Sequence, residues 1–299
     1  MPLRELRAHL ISEHLFACPY QPCQFVSPLF DDLERHTFTH QQSSTDEAEA
    51  EGETSRRISA LLRTQASVHT VRMAKHLVLH RVEGEDRGFG CGYRNLQTIL
   101  ASVIYNADLR LASGLRQVPT IEELQAQIEA AWRAGFDPEG AAQLRHRLSG
   151  TRKWIGATEV AALLQYYKIR VQVVDIKLLM NRVQKQRQIV EWVWRYFTSD
   201  GPRIPLYFQH QGHSRTIIGI LENSTTLSGK ELLIYDPGIS PLRVQDALNK
   251  SSPKELEFLR FPASALKHTQ YQIVAIRGVL QDEFYEVAKE FTSFNHVAL

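Results

Sequence analysis

The spacing of apolar residues changes from helical to strand-like about halfway along the chain. In the first half, apolar residues recur at every third or fourth position, as on one face of a helix, in the segments 96–103, 121–132 and 158–164. In the second half, shorter stretches rich in β-branched and aromatic residues predict strands at 169–176, 206–209, 216–221, 232–235 and 271–276. Because the helices mostly precede the strands, the order predicts an α+β domain rather than repeated βαβ units.

Weaker local patterns complete this prediction. Ile58, Leu61 and Leu62 indicate a short helix, a strand is predicted to end at 77–79, and Thr158 is placed to cap the helix that follows it.

A segment without large apolar residues divides the chain unequally. Residues 41–57 read QQSSTDEAEAEGETSRR, and acidic and small polar side chains dominate them. Such a composition buries too little apolar surface to fold by itself, so it predicts a solvated linker. The sequence therefore predicts a small unit at 1–40 and a large domain at 58–299.

The composition is that of a globular chain with little net charge. The 35 Lys and Arg residues oppose 33 Asp and Glu residues, giving a formal net charge of +2, so a nucleic-acid contact would need a local patch. No run of roughly 18 apolar residues is present, so we expect no membrane span. The N-terminus lacks the apolar core of a signal peptide, and we expect no secretion. The three cysteines are too few for a disulfide scaffold and indicate a reducing compartment.

Two of the cysteines and two histidines have the spacing of a zinc site. Cys18, Cys23, His36 and His40 form the pattern C-x4-C-x12-H-x3-H. Zinc prefers four sulfur and nitrogen ligands at tetrahedral corners, which a cysteine turn and two histidines on one helical face supply. The pattern predicts a structural Zn²⁺ ion in a C2H2-type finger at 1–40, against the alternative of four unrelated residues.

The third cysteine, Cys91, stands in a glycine-rich segment that runs into a predicted helix. The segment reads Gly-Phe-Gly-Cys-Gly-Tyr-Arg-Asn over residues 88–95. The glycines leave the thiol little cover and let a substrate backbone approach closely. Unpaired N–H groups at a helix start favour thiolate and can donate to an oxyanion. We therefore interpret Cys91 as a nucleophile, with a buried structural cysteine as the alternative.

A thiol nucleophile needs a histidine base and a group that orients it. Among the 12 histidines, His213 stands at the entrance to an apolar strand, directly after Gly212. Asp236 ends the next predicted strand, and two adjacent antiparallel strands would bring it beside His213. The chain order Cys, His, Asp is that of papain-like enzymes. In the alternative interpretation both are ordinary turn residues.

Several segments around these residues resemble a known peptidase family. The Cys91 segment resembles the nucleophile motif of the UFSP-type cysteine peptidases. Other segments resemble the zinc finger-containing, ubiquitin-specific branch of that family (ZUFSP): Gly135-Phe-Asp-Pro-Glu-Gly140, Trp154-Ile-Gly-Ala157, Gln209-His-Gln-Gly-His213-Ser-Arg-Thr, Asp236-Pro-Gly and Tyr271-Gln-Ile-Val. The resemblance covers residues 58–280. It implies a papain-like α+β peptidase domain that hydrolyses bonds after the C-terminal glycine of ubiquitin.

The resemblance also implies roles for individual residues in catalysis. Cys91, His213 and Asp236 would form a triad that needs no catalytic cofactor. Gln209, four residues before His213, matches the oxyanion donor of the family, with the Cys91 amide as the second donor.

Three further residues match substrate-binding positions of the ZUFSP branch. Asp137 and Glu159 correspond to acids that hold the arginines of the ubiquitin tail, and Trp154 would wall the channel for its glycines. From the residues alone, Asp137 is a turn residue before a proline and Glu159 a first-turn helix residue, while Trp154 fits the core equally well.

The partners that the resemblance implies are ubiquitin and polyubiquitin chains, with ubiquitinated chromatin-associated proteins as substrates in genome maintenance. The implied location is the nucleus and cytoplasm, and direct nucleic-acid binding by the finger is left open.

One position separates two substrates within the family. Peptidases for the ubiquitin-fold modifier carry Asp-Pro-His, whereas position 238 here is Gly, so His213 must supply the base. Two alternatives remain open, namely a peptidase for the ubiquitin-fold modifier and a nonenzymatic ubiquitin- or nucleic-acid-binding adaptor. The intact Cys, His and Asp set argues against the adaptor.

Overall fold

A computed structural model describes residues 52–178, 182–226 and 228–289, together with three short strands elsewhere in the chain. The chain divides into two compact units, Met1–Glu49 and Ala50–Leu299. In the first unit, strands β1 (Phe16–Ala17) and β2 (Val26–Ser27) pair in antiparallel fashion. The four predicted zinc ligands, Cys18, Cys23, His36 and His40, lie outside the described residues, so the zinc finger stays a prediction.

The second unit combines helices with one mixed sheet. Its described helices are α1 (Glu53–Leu62), α2 (Cys91–Tyr105), α3 (Ala107–Ser113), α4 (Ile121–Arg133), α5 (Pro138–Gln143), α6 (Ala157–Tyr166), α7 (Arg182–Thr198), α8 (Pro241–Asn249) and α9 (Asp282–Lys289). Its described strands are β3 (Val68–Met73), β4 (Ile169–Lys177), β5 (Leu206–His210), β6 (His213–Asn223), β7 (Lys230–Tyr235), β8 (Arg260–Pro262), β9 (Gln270–Val279) and β10 (His296–Ala298). This composition confirms the predicted α+β class.

The sheet order is β10-β4-β9-β5-β6-β7-β8, and β3 pairs with the far half of β6. All of these pairings are antiparallel except the one between β10 and β4. Strand β6 is thus an interior strand, with β5 on one side and β7 on the other. Its first residue, His213, therefore lies at a sheet end that both neighbours frame.

Helices cover both faces of the sheet because apolar side chains alternate along its strands. On one face, helices α2, α4 and α6 pack on a core to which Val173, Tyr207 and Val274 contribute from β4, β5 and β9. On the other face, helix α7 packs on Val174 and Phe208. A third cluster joins α1 and α8 to β3 and the distal part of β6. The helix that begins with Cys91 is thereby fixed to the first face.

Three local predictions need correction. Helix α1 begins at Glu53, inside the predicted linker, and the Gly52 N–H donates to the Lys75 carbonyl at 2.8 Å, so residues 53–57 are helical. The strand expected to end at 77–79 is β3, which ends at Met73. Thr158 does not cap α6, because the helix begins at Ala157 after Gly156.

Two features are absent from the residues that the structure describes. No helix there has both the length and the apolar character needed to span a membrane. No group of three or more His, Cys, Asp or Glu side chains there is arranged to hold a metal ion.

Candidate active site

Cys91 is the first residue of α2, and two glycines shape its surroundings. Gly88 has a φ of +92°, which only glycine adopts easily, and this allows the tight turn before the helix. Gly92 lies directly against the segment around Ile155, since a Cβ there would stand 2.7 Å from the Ile155 carbonyl oxygen. The start of α2 therefore packs closely against the Ile155 segment. Cys91 itself remains partly exposed.

The sheet register brings His213 and Asp236 together as predicted. A two-residue turn joins β5 to β6, so that His210 pairs with His213. Thr216 pairs with Tyr235, and Asp236 follows directly after β7 at the same end of the sheet. The distance between His213 Nε2 and Asp236 Oδ2 is 2.8 Å. Because Nε2 contacts the carboxylate, Nδ1 is the ring nitrogen left for the thiol.

The electrostatics of the pair favour a thiolate and an imidazolium. Burial alone would raise the pKa of Cys91, but hydrogen bonds from His213 and Ser214 outweigh it and hold the pKa below its usual value. The hydrogen bond to Asp236, and then that to Cys91, raises the pKa of His213 to about 9 against the effect of burial. Both shifts are in the direction that favours transfer of the thiol proton to His213.

Arg215 is a residue of this site that the sequence analysis did not single out. Its Nε donates to Asp236 Oδ2 at 2.8 Å, alongside His213, while the Gly238 N–H donates to Oδ1 at 2.9 Å. Arg215 also contacts His210, with 3.4 Å between Nη1 and Nε2. These donors keep the pKa of Asp236 below its usual range despite its burial. Arg215 is two residues after His213 on β6 and so has its side chain on the same face, which the sequence alone could have indicated.

Asn95 is a second residue that sequence reasoning missed. It is fully buried on α2, its Nδ2 donates to Ser214 Oγ at 3.0 Å, and its Oδ1 accepts from Thr216 Oγ1 at 2.8 Å. These bonds join the helix that begins with Cys91 to the strand that begins with His213. An amide side chain on the apolar face of a predicted helix was the available signal.

Two adjoining hollows together form the cavity of this site. Cys91, His213 and Trp154 line both hollows. Trp154 is 55% exposed, and its indole N–H donates to the Gly88 carbonyl, so it bridges the cavity wall and the turn before Cys91. Phe89 lines one hollow and Gly156 the other. Trp154 therefore lies at the site rather than in the core.

Gln209 lines the same hollow as Cys91 and His213. Its Nε2 donates to Gln272 Oε1 at 2.6 Å. Its amide also packs against Gly156, where a Cβ would stand 3.1 Å from Gln209 Oε1. The structure thus brings together Cys91, His213, Asp236, Gln209 and Trp154 of the predicted site.

Asp137 and Glu159 are placed differently, as nearly buried caps of helices. Asp137 Oδ1 accepts from the Gly140 N–H at 3.0 Å, and Glu159 Oε2 accepts from the Gly156 N–H at 2.7 Å. Asp137 Oδ2 has no hydrogen-bond partner. Burial, opposed by the bond from Gly140 and assisted by the charge of Glu159, raises the pKa of Asp137 to about 6. Both acids have the local role that the sequence left open as an alternative, and their contact with substrate stays a prediction.

The site combines a thiol at the start of a helix with an imidazole and carboxylate pair on a sheet, all in one cavity. This arrangement defines the class of papain-like thiol peptidases. The chain belongs to Peptidase family C78, whose family model matches residues 66–274. All the residues of the candidate site described above lie inside that range.

Curated relatives carry the comparison further. The chain is 41% identical over 209 residues to the human "Zinc finger-containing ubiquitin peptidase 1", covering 66% of this chain and 36% of that protein. It is 36% identical over 163 residues to "Ubiquitin carboxyl-terminal hydrolase mug105" of Schizosaccharomyces pombe, covering 52% of this chain and 62% of that protein. The chain thus spans about a third of the length of the zinc finger-containing peptidase that it matches.

More distant matches lie among proteases for another modifier. The "Ufm1-specific protease" of Caenorhabditis elegans is 27% identical over 154 residues, covering 51% of this chain and 22% of that protein. A crystal structure of UfSP from the same organism matches with a TM-score of 0.48 and 16% identity, covering 93% of this chain and 53% of that chain.

Proposed function

We propose that the chain is a thiol isopeptidase that cleaves after the C-terminal glycine of ubiquitin. The observation that carries the proposal is that Cys91, at the start of α2, lines the same cavity as His213. The Nε2 atom of His213 lies 2.8 Å from Asp236 Oδ2. The relatives that bear ubiquitin peptidase names support the choice of substrate.

Catalysis starts from the thiolate and imidazolium pair. The Cys91 thiolate attacks the carbonyl carbon of the glycine, and the carbonyl π electrons move to oxygen to give a tetrahedral oxyanion. When that intermediate collapses, the C–N bond breaks and His213 gives its proton to the leaving amine. Water then attacks the thioester while His213 takes its proton, and the C–S bond breaks to regenerate the thiolate.

The oxyanion in both steps needs hydrogen-bond donors that are in place beforehand. The Cys91 backbone N–H at the helix start is one candidate. The Gln209 amide is the second, because its side chain lines the hollow beside the thiol. A substrate carbonyl that enters this hollow would lie between the helix start and strand β5.

The surroundings of the thiol suit the sequence Gly-Gly at the end of ubiquitin. Trp154 and Phe89 provide apolar walls, while Gly212 and Gly156 add no side chain. A channel of this kind favours residues without a Cβ. The orphaned Oδ2 of Asp137 supports the further proposal that this carboxylate accepts a hydrogen bond from an arginine of the ubiquitin tail.

The test is hydrolysis of ubiquitin that carries a C-terminal fluorogenic amide. Cys91→Ala should lower kcat by at least about a thousandfold, because loss of a covalent nucleophile removes the reaction path. Binding of ubiquitin to the same variant, measured by calorimetry, should stay close to that of the wild type. Activity of Cys91→Ala within tenfold of the wild type would exclude Cys91 as the nucleophile.

The ubiquitin-fold modifier remains the second candidate substrate, because the worm protease named for it is a distant relative. Against it stands Gly238, which occupies the position of the base in those enzymes and donates its N–H to Asp236. The same proposal extends to polyubiquitin chains and chromatin-associated proteins as substrates and to a nuclear and cytoplasmic location. It also includes a zinc finger at 1–40, which the name of the human relative supports.

A further inference from the structure

Three polar residues form a row across adjacent strands of the sheet and end at the cavity of Cys91. Asp175 on β4 pairs directly with Gln272 on β9, and Gln272 pairs directly with Gln209 on β5. Direct partners on neighbouring strands have side chains on the same face of the sheet. Gln272 Nε2 donates to Asp175 Oδ1 at 2.6 Å, and Gln209 Nε2 donates to Gln272 Oε1 at 2.6 Å.

The next row of the same strands shows which face this is. Val173, Val274 and Tyr207 pair across β4, β9 and β5 and belong to the core beneath α2 and α6. The polar row is displaced by two residues on each strand, later in β4 and β5 and earlier in the antiparallel β9. It therefore lies on the same face, where α2 places Cys91. At the edge of the cavity, the hydrogen-bonded polar row therefore takes the place of the apolar side chains of the core.

The chemistry of these groups fixes the direction of every bond in the row. An ionised carboxylate can only accept, so Asp175 requires Gln272 to present its NH₂ group. Gln272 must then present its carbonyl oxygen to Gln209, which in turn must donate through Nε2. Of the two N–H bonds on Gln209 Nε2, one is used in this way and the other is left for the cavity.

We propose that Asp175 and Gln272 are positioning residues that hold the Gln209 amide with its N–H group toward the oxyanion. The inference rests on the proposed function, since it takes Gln209 as a donor to the oxyanion. Without the row, the Gln209 amide can turn about its last bond and present its carbonyl oxygen, which repels an oxyanion. Gly156 supports the arrangement, because it leaves room for the Gln209 amide on its other side.

The experiment measures kcat and KM on the fluorogenic ubiquitin amide for four variants of the full chain. Removing one oxyanion donor typically costs about 100- to 1,000-fold in kcat, so Gln209→Ala should lose about 100-fold and Gln272→Leu about 10-fold or more. KM should stay within about twofold, since an oxyanion donor acts mainly on the transition state. Asp175→Leu should behave as Gln272→Leu does, whereas Asp175→Asn, which keeps an acceptor oxygen, should recover kcat to within about threefold of the wild type.

Two controls separate positioning from a general structural effect. Gln172→Leu removes a side-chain hydrogen bond between the same two strands, to Arg277 on the other sheet face, and should leave kcat unchanged. Alkylation of Cys91 by iodoacetamide forms no oxyanion, so its rate, followed by mass spectrometry of the Cys91 peptide, should be the same in Gln272→Leu and the wild type.

The decisive comparison is the double variant. If Gln272 acts through Gln209, then Gln272→Leu should have no further effect on kcat in the Gln209→Ala background. An additive loss, an unchanged kcat in Gln272→Leu, or alkylation slowed as much as hydrolysis would each overturn the proposal. The wild-type chain could prove inactive on the ubiquitin amide but active on the same amide of the ubiquitin-fold modifier. That result would overturn the proposed substrate alone. The kcat of each variant relative to the wild type, measured on the second amide, would then decide the positioning role.

Discussion

At the scale of single residues, the carboxylate of Asp236 has the largest influence on the pKa of His213. Its Oδ2 accepts from both His213 and Arg215, at 2.8 Å each. The hydrogen bond to Asp236 is the largest contribution to the raised pKa of His213, whereas the charge of Arg215 lowers that pKa. Arg215 therefore holds the acid in place while it limits how basic the histidine becomes.

This balance predicts a shift of the alkaline limit of activity in Asp236→Asn. In the wild type, His213 is raised from 6.5 to about 9, so kcat/KM on the ubiquitin amide should fall as pH rises through about 9. Without the carboxylate charge the pKa of His213 falls, and the limit should move to lower pH by more than about one unit. Asp246→Asn, an exposed position on α8, is the control. An alkaline limit that stays near pH 9 in Asp236→Asn would show that another group sets it.

A second prediction concerns Asp137 and requires a mild substitution. The acid is only 4% exposed and caps α5, so an arginine at this position would test folding rather than recognition. Asp137→Asn keeps the acceptor for Gly140 and removes the charge. If Asp137 pairs with a tail arginine, KM for the ubiquitin amide should rise by at least about tenfold, because breaking a desolvated ion pair costs about 2–5 kcal/mol.

The pH dependence gives Asp137 an independent check. The pKa of its carboxyl is raised to about 6, so the wild-type KM should increase as pH falls through about 6. Asp137→Asn should lack this increase. Equal KM profiles for the two proteins would assign Asp137 to capping alone.

At the scale of elements, the contact between α2 and the segment around Ile155 determines where Cys91 lies. Gly92 makes that contact close, and Asn95 joins the helix to β6. The Cys91 helix, α4 and the strands β4 to β7 and β9 were predictable because their apolar periods are undisturbed. Helix α7 was missed although its apolar residues recur at positions 189, 190, 193, 196 and 197, since its first half is dominated by Arg, Gln and Lys.

Side-chain partners were harder to predict than elements. The pairing of His213 with Asp236 followed from two strands in sequence, since consecutive antiparallel strands meet at a common end. The contacts of Gln209 depend on β9, which lies about 60 residues further along the chain, and no local pattern specifies that register. Likewise, the burial of Glu159 depends on tertiary packing, which composition does not report.

Because α2 lies close to the segment around Ile155, we expect Gly92→Ala to destabilise the protein. A Cβ at position 92 would stand 2.7 Å from a backbone oxygen and 2.8 Å from Ile155 Cγ1, so the cavity wall must move. We expect a loss of about 1–3 kcal/mol in the free energy of unfolding and a lower kcat, measured by urea denaturation and by hydrolysis. Gly84→Ala is the matched control, because no atom lies within 4 Å of the Cβ there. Equal stability of the two variants would mean that the contact is not restrictive.

At the scale of the whole molecule, the chain consists of two compact units with separate predicted chemistry. The peptidase family model lies wholly in the second unit, whereas the predicted zinc ligands Cys18, Cys23, His36 and His40 lie in the first. The predicted metal ligands and the residues matched by the peptidase family model thus belong to different units.

This separation predicts the result of removing the metal. The purified chain should contain about one equivalent of zinc, and Cys18→Ala should lack it because a structural site needs all four ligands. The thermal unfolding of the peptidase unit, followed by calorimetry, and its kcat on the ubiquitin amide should be unchanged. Collapse of the whole protein on chelation would contradict the independence of the two units.

The most direct test of the central proposal is reaction with ubiquitin whose C-terminal glycine is replaced by an electrophile. The wild-type chain should form a covalent adduct of one ubiquitin, and digestion followed by mass spectrometry should place the bond on the Cys91 sulfur. Cys91→Ala should form none, and the corresponding probe built on the ubiquitin-fold modifier should react far more slowly with the wild type. An adduct with the ubiquitin-fold modifier alone, or a ubiquitin adduct that persists in Cys91→Ala, would contradict the proposal.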